Sequence, residues 1–273
     1  MIVRCLLVLC SLLAFPLVQA SDMDKEKRWE AQIVDALIIG EAVKLKAGTT
    51  EFLAIFAEHT TEKAMGGAII LHGIGVHPAW PEVIQPLRTQ LPDHGWATLS
   101  LQMPILPNEA KSEAYAPLFD EVRPRIQAGI DHLKGKGIQN IVIIAHSLGA
   151  SMASYYLSDK PDSSIVAFVG IGMSQHKTDP KMDNTVSLRK ISLPILDIYG
   201  SRDLPDVLSS SKARKTATTR AKNKNYTQLE IEGADHFFNN TDTILLKRVR
   251  GWLAQNASGT EIDKPQVKQK GNN

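Results

Sequence analysis

Beyond Cys10 the chain has no cysteine; both cysteines, Cys5 and Cys10, fall within the first twenty of its 273 residues. Once that segment is removed, disulfides, thiolate nucleophiles and cysteine-held metals are all excluded. Aromatic residues make up only 6%, and 31 Lys and Arg against 29 Asp and Glu leave a formal charge of +2. With the basic residues dispersed, the chain lacks the footprint of a nucleic-acid binder. The histidines form no HExxH pair or other compact ligand spacing, so neither metal nor cofactor is expected. No repeat at solenoid periods is visible. Past the N-terminus no apolar run is long enough to span a bilayer.

The N-terminus itself is distinctive. "MIVRCLLVLCSLLAFPLVQA" places Arg4 before an apolar core and ends in Val18-Gln19-Ala20, a small-x-small site. The pattern is that of a secretory signal peptide cleaved after Ala20, which implies a periplasmic or secreted protein with no stable membrane span after cleavage. Residues 21–256 then form one domain. Residues 257–273 are polar, without periodicity, and are expected to be a disordered tail.

Within the domain, short strand patterns alternate with helical ones. "TEFLAIFAEH" (Thr50–His59) alternates as a strand, and "GGAIILHG" (Gly66–Gly73) is a continuous apolar run suited to a buried parallel strand. Further strands are read at "WATLSLQM", "IVIIA", "SIVAFVGIG", "LPILDIYG" and "YTQLEIEG". Helices are read at Pro81–Gly95, Leu118–Lys134, the stretch after "AHS", the basic run "SSSKARKTATTRAKNK" and "TDTILLKRVRGWLAQN". The alternation predicts a mostly parallel sheet with helices on both faces, whose ligands bind beyond the carboxyl ends of the strands.

The chemistry-bearing residues fall at those ends. "NIVIIAHSLGAS" runs an apolar strand into Ser147 and then an alanine-rich helix. A small-x-Ser-x-Gly frame in that context fits a nucleophile elbow, though a serine before a helix is also an ordinary N-cap. Ala145 stands where glycine is commoner. A serine needs a base, and the base an orienting acid, in the chain order Ser, acid, His. Asp203 follows "LPILDIYGSR" and His236 follows "LEIEGAD", each on a loop past a strand. Asp206 competes with Asp203. Asp197 lies inside its strand, and Glu232 and Asp235 are too close in sequence to His236 to orient its ring. An oxyanion would take the backbone N–H groups of Leu148 and of Ile74, in "LHGIGVHPAW". His72 is read as a structural brace of that loop, and His146 as a support of the elbow. His77 and Tyr115 are the candidate substrate contacts. Met103, Ile105, Leu106 and Tyr115 are either one wall of the pocket or buried packing.

"LHGIG", "AHSLGA", "YGSRD" and "GADHFF" together resemble successive motifs of the alpha/beta-hydrolase superfamily, over roughly Glu41 to Gln255. As a whole the chain resembles exported hydrolase-like proteins of Gram-negative bacteria. The resemblance implies an alpha/beta-hydrolase fold and a serine hydrolase acting through Ser147, His236 and Asp203 on a small-molecule ester or other acyl substrate. The connection Met173–Ser192 is too short for a large cap domain. The alternative is a non-catalytic binding protein on the same fold. The basic helix Ser209–Lys224 is read as a solvated face, with anionic surfaces as the other option.

Overall fold

The computed structural model describes residues 20–257 and 262–263. The expected signal peptide therefore lies outside the described residues, apart from Ala20. Helix α1 (Met23–Ala36) leads into strands β1 (Glu41–Ala47), β2 (Thr50–Ala57), β3 (Lys63–Ala64) and β4 (Gly66–Leu71). Then come α2 (Ile84–Gln90), β5 (Trp96–Leu101), α3 (Phe119–Gly135), β6 (Ile141–His146), α4 (Leu148–Leu157) and β7 (Ile165–Ile171). The chain continues through α5 (Asn184–Leu188), β8 (Ile195–Arg202), α6 (Pro205–Arg220), β9 (Tyr226–Asp235), α7 (Asp242–Asn256) and β10 (Ile262–Asp263).

Eight strands form one sheet in the order β1-β2-β5-β4-β6-β7-β8-β9. β1, β2 and β5 pair antiparallel; β5 through β9 run parallel. The period of two sorts side chains between the faces. Ile69, Leu71, Ile141 and Ile143 pack under α3 and α4, while Ile70, Val142 and Ile144 pack under α2 and α7. Each such side chain contributes roughly 1.5–3 kcal/mol by leaving water. β2 is buried on both faces rather than one, because Ile33 of α1 covers Leu53 and Ile55. Pro124 sits in α3 on an exposed face. Between β7 and β8 the only regular element is the five-residue α5, so no cap domain stands over the sheet. Most of the expected tail lies outside the described residues. Within it, Ile262–Asp263 pairs antiparallel with Lys63–Ala64 and so is not structureless.

The N-terminal segment is tied down by charge. Arg125 is 1% exposed and makes a two-pronged ion pair with Glu26 at 2.9 and 3.0 Å. The backbone N–H of Asp22 donates to the Ile105 carbonyl, and Lys25 donates to the Leu106 carbonyl. The loop after β5 is thus held beneath α1.

Candidate active site

β6 ends at His146, and the chain turns at Ser147 with φ 55° and ψ −123° before α4 begins. A positive φ at a residue with a side chain costs of order 1–3 kcal/mol and survives only where surroundings impose it. Here they do: α4 crosses so close to the end of β4 that a Cβ at Gly149 would lie 2.3 Å from the His72 carbonyl oxygen. A Cβ at Gly73 would lie 3.2 Å from that of Ser147, so the loop after β4 can rest against the elbow. Ala145, the irregular position, is fully buried, in register with Leu71 and Gly170.

His236 Nε2 lies 3.0 Å from Ser147 Oγ, and His236 Nδ1 lies 2.6 Å from Asp203 Oδ1. A carboxylate only accepts, so Nδ1 carries the proton and Nε2 is free to take one from the serine. Asp203 is fixed by two further donors, Leu204 N–H at 2.7 Å and Gly200 N–H at 3.3 Å. It is 5% exposed, whereas Asp206 is exposed in the first turn of α6 and makes no contact with His236. The structure thus joins Ser147, His236 and Asp203 and leaves Asp206 aside. Gly172 has φ +60°, and a Cβ there would fall 2.9 Å from His236 Cε1.

Two neighbouring histidines brace this arrangement. His146 Nε2 donates to the His236 carbonyl at 2.9 Å. His72 Nδ1 donates to the Gly73 carbonyl at 2.8 Å, and its Nε2 accepts from Met103 N–H at 2.9 Å. Complete burial lowers both to about 3, so they stand neutral. Asp235 shapes the histidine loop instead of orienting the ring, accepting from the N–H groups of Phe237 and Asn239.

Leu148 opens α4, so its N–H has no partner inside the helix. Ile74 is 38% exposed on the loop that rests against Ser147. The two expected substrate contacts are placed differently. Tyr115 is 2% exposed, and its hydroxyl accepts from Leu106 N–H at 3.0 Å and lies beside Gly75. It is a brace behind the Ile74 loop, not a pocket wall. Met103, Ile105 and Leu106 are likewise fully enclosed: Met103 and Leu106 join the core cluster, and the Ile105 and Leu106 carbonyls are held by Asp22 N–H and Lys25. His77 packs edge-on between Trp29 and Trp80 and lines a cavity under α1. Sequence reasoning missed an apolar rim. Ile74, Leu204 and Phe237 are all at least 38% exposed, and the last two directly follow Asp203 and His236. The "HFF" run and "RDL" were its only signals.

The sheet, its flanking helices and the strand-end site define the alpha/beta-hydrolase fold. Within it, the chain belongs to a family of proteins of unknown function (DUF3530), whose model matches residues 16–118 and 107–255. No curated protein matches. Among solved structures, the chain is similar to Est1E from Butyrivibrio proteoclasticus, with TM-score 0.64 and 16% identity, over 81% of this chain and 100% of that one. It is similar to a dienelactone hydrolase from Anabaena variabilis, with TM-score 0.66 and 18% identity, over 80% and 98% of the two chains. The esterase Pf2001 from Pyrococcus furiosus matches with TM-score 0.64 and 16% identity, over 82% and 95%. At such identities these likenesses establish the fold.

Proposed function

We propose that the protein is a serine hydrolase that cleaves a carboxylic ester or thioester through an acyl-enzyme. The observation that carries this is the unbroken relay from Asp203 Oδ1 through His236 to Ser147 Oγ, at 2.6 and 3.0 Å. Ser147 Oγ attacks the carbonyl carbon as its proton passes to His236 Nε2. The N–H groups of Leu148 and Ile74 hold the oxyanion, aided by the positive end of α4. When the carbonyl reforms, the leaving oxygen or sulfur takes the proton from Nε2. Water then attacks the acyl-enzyme, gives its proton to Nε2, and Ser147 leaves with that proton restored. Asp203 holds the tautomer and stabilises the imidazolium. The rim of Ile74, Leu204 and Phe237 suits an apolar acyl or aryl group, and ester chemistry agrees with the esterases among the similar structures, one of which, Est1E, is also solved with ferulic acid bound.

The test is labelling by a fluorophosphonate probe together with turnover of an ester and thioester panel, with Ser147→Ala as control. Labelling and turnover that both vanish in Ser147→Ala are expected. A folded wild-type protein that neither labels nor turns over any member sinks the proposal.

The proposal includes export with removal of residues 1–20. The Ser21 nitrogen lies 3.0 Å from Glu121 Oε1, and its hydroxyl donates to Glu121 Oε2 at 2.8 Å. Cleavage after Ala20 turns that amide into an ammonium facing a carboxylate, which strengthens the contact. Mass spectrometry of the exported protein should find Ser21 as the first residue; a retained leader overturns this part.

A further inference from the structure

Among the described residues three arginines are almost completely buried, and two of them face a carboxylate. Arg125 is paired with Glu26 and Arg214 with Asp197. Arg88, in the last turn of α2 and 3% exposed, has none within ion-pair distance among the described residues. Its Nη1 donates to the Ile39 carbonyl, and its Nε is buried with no partner. A carbonyl and a short helix's C-terminus offer only partial charge. A buried cation so poorly matched is costly, and burial pushes the guanidinium's pKa down from its usual value.

Arg88 lines a cavity of about 380 Å³ between α1 and α2. The remaining lining is largely apolar, with Trp29, Ile33 and Leu37 from α1 and the segment after it. Ile38, 94% exposed, and Ile39, 47% exposed, also line it and extend the apolar surface outward. His77 adds a second donor. Its Nδ1 accepts from Ala79 N–H at 3.3 Å, which puts its proton on Nε2, and burial keeps it neutral by lowering it to about 4. The volume equals about a dozen waters. A bare inorganic anion would leave the apolar wall wet, and an uncharged hydrocarbon would leave Arg88 unmatched.

We propose that this cavity binds an amphipathic monocarboxylate, its carboxylate on Arg88 and His77 Nε2 and its hydrocarbon body against Trp29, Ile33 and Leu37. The site is separate from Ser147 and stands whether or not the chain is a hydrolase.

The test is calorimetric titration of the full-length exported protein with octanoate, 1-octanol and acetate. Octanoate should bind saturably at one site, at least about tenfold more tightly than either control. Arg88→Met should erase the preference over octanol, and Ser147→Ala should leave it intact. Because Arg88→Met removes a buried side chain, Ala36→Trp supplies an independent arm. Ala36 is exposed at the cavity lining, so an indole there should fill the site while Arg88 is left unsubstituted. Binding that survives Ala36→Trp in a folded protein, or octanol that equals octanoate in the wild type, overturns the proposal.

Discussion

Strand β8 carries one aspartate in its middle and another just past its end, and both are buried. Asp197 is 0% exposed and saturated: Oδ2 accepts from Arg214 Nε at 2.7 Å, Tyr226 at 2.6 Å and Gln228 at 2.9 Å. Arg214 is equally enclosed; its Nη2 donates to Asp197 Oδ1 at 3.3 Å, and its Nη1 to the Val207 carbonyl and Ser210 Oγ. Asp203, by contrast, directs one oxygen at an imidazole whose other nitrogen reaches a half-buried serine. A guanidinium stays protonated at any physiological pH, so the Asp197 cluster is a closed, neutral unit that can only hold β8, β9 and α6 together. Imidazole exchanges a proton in the neutral range. The Asp203–His236 pair therefore carries one negative charge at rest and none once His236 accepts a proton, which would favour the charge that the proposed acyl transfer creates. Burial and hydrogen bonding are alike at the two sites; what separates them is whether the partner can change its protonation.

Exchanging each carboxylate for an amide should separate the two roles. Asp203→Asn should cut ester turnover by about 10³–10⁴, because the amide can present the wrong tautomer of His236. Its urea midpoint should move little. Asp197→Asn should do the reverse, since it leaves Arg214 buried and unpaired, a loss of roughly 3–5 kcal/mol. Its turnover, measured at a temperature where it is folded, should stay near wild type. If Asp197→Asn is as inactive as Asp203→Asn while still folded, the division between the two sites fails.

How much of this contrast could be read beforehand depends on range. Asp203 and His236 were legible because each follows an apolar strand pattern, and a strand end in a parallel sheet fixes position without any long-range knowledge. The seclusion of Asp197 was also legible, from its place inside "LPILDIYG". Its partner was not: Arg214 lies in a basic run that reads as a solvated face, yet it is 0% exposed. Helical period alone does not say which turn of α6 faces β8. Tyr115 and the loop around Leu106 were obscure for the same reason. Both are buried in a cluster assembled from distant segments, with Leu118 and Met152, and Lys25 of α1 holds the Leu106 carbonyl. The strain at Ser147 was visible only as a motif; the carbonyl of His72 against Gly149 supplies its cause.

A smaller effect probes how tightly the working site is held. Gly172→Ala places a methyl 2.9 Å from His236 Cε1 at a backbone φ of +60°. Displacing the ring by a fraction of an ångström should lower kcat by about 10–100-fold, since misplacement near 1 Å costs about 10²-fold. KM should change less. An unchanged kcat would mean that the His236 loop yields freely.

The braces around the site should also make stability depend on pH. His72 and His146 are neutral in the fold and lowered to about 3 from an ordinary 6.5. Between those values the unfolded chain binds protons that the folded chain refuses, so unfolding becomes easier as pH falls from 6.5 toward 3. Urea midpoints at pH 7.5 and pH 5 should differ in that direction, and His72→Gln should flatten the slope. A midpoint that rises on acidification contradicts the neutral histidines.

The smallest expected change is at Asp206, the competitor for the acid's role. It is exposed in the first turn of α6, where a carboxylate meets the positive end of the helix and acts electrostatically on His176. The interaction with the helix end is worth about 0.3–1 kcal/mol at a surface, so Asp206→Asn should lower Tm by no more than about 2–4 °C in a domain of this size. Turnover should stay within about twofold, because the nearest acid to His236 Nδ1 is Asp203 at 2.6 Å. Steady-state kinetics of Asp206→Asn beside Asp203→Asn decides the matter. A collapse in the first with activity retained in the second would require the loop after β8 to refold in solution so that Asp206, not Asp203, meets the imidazole.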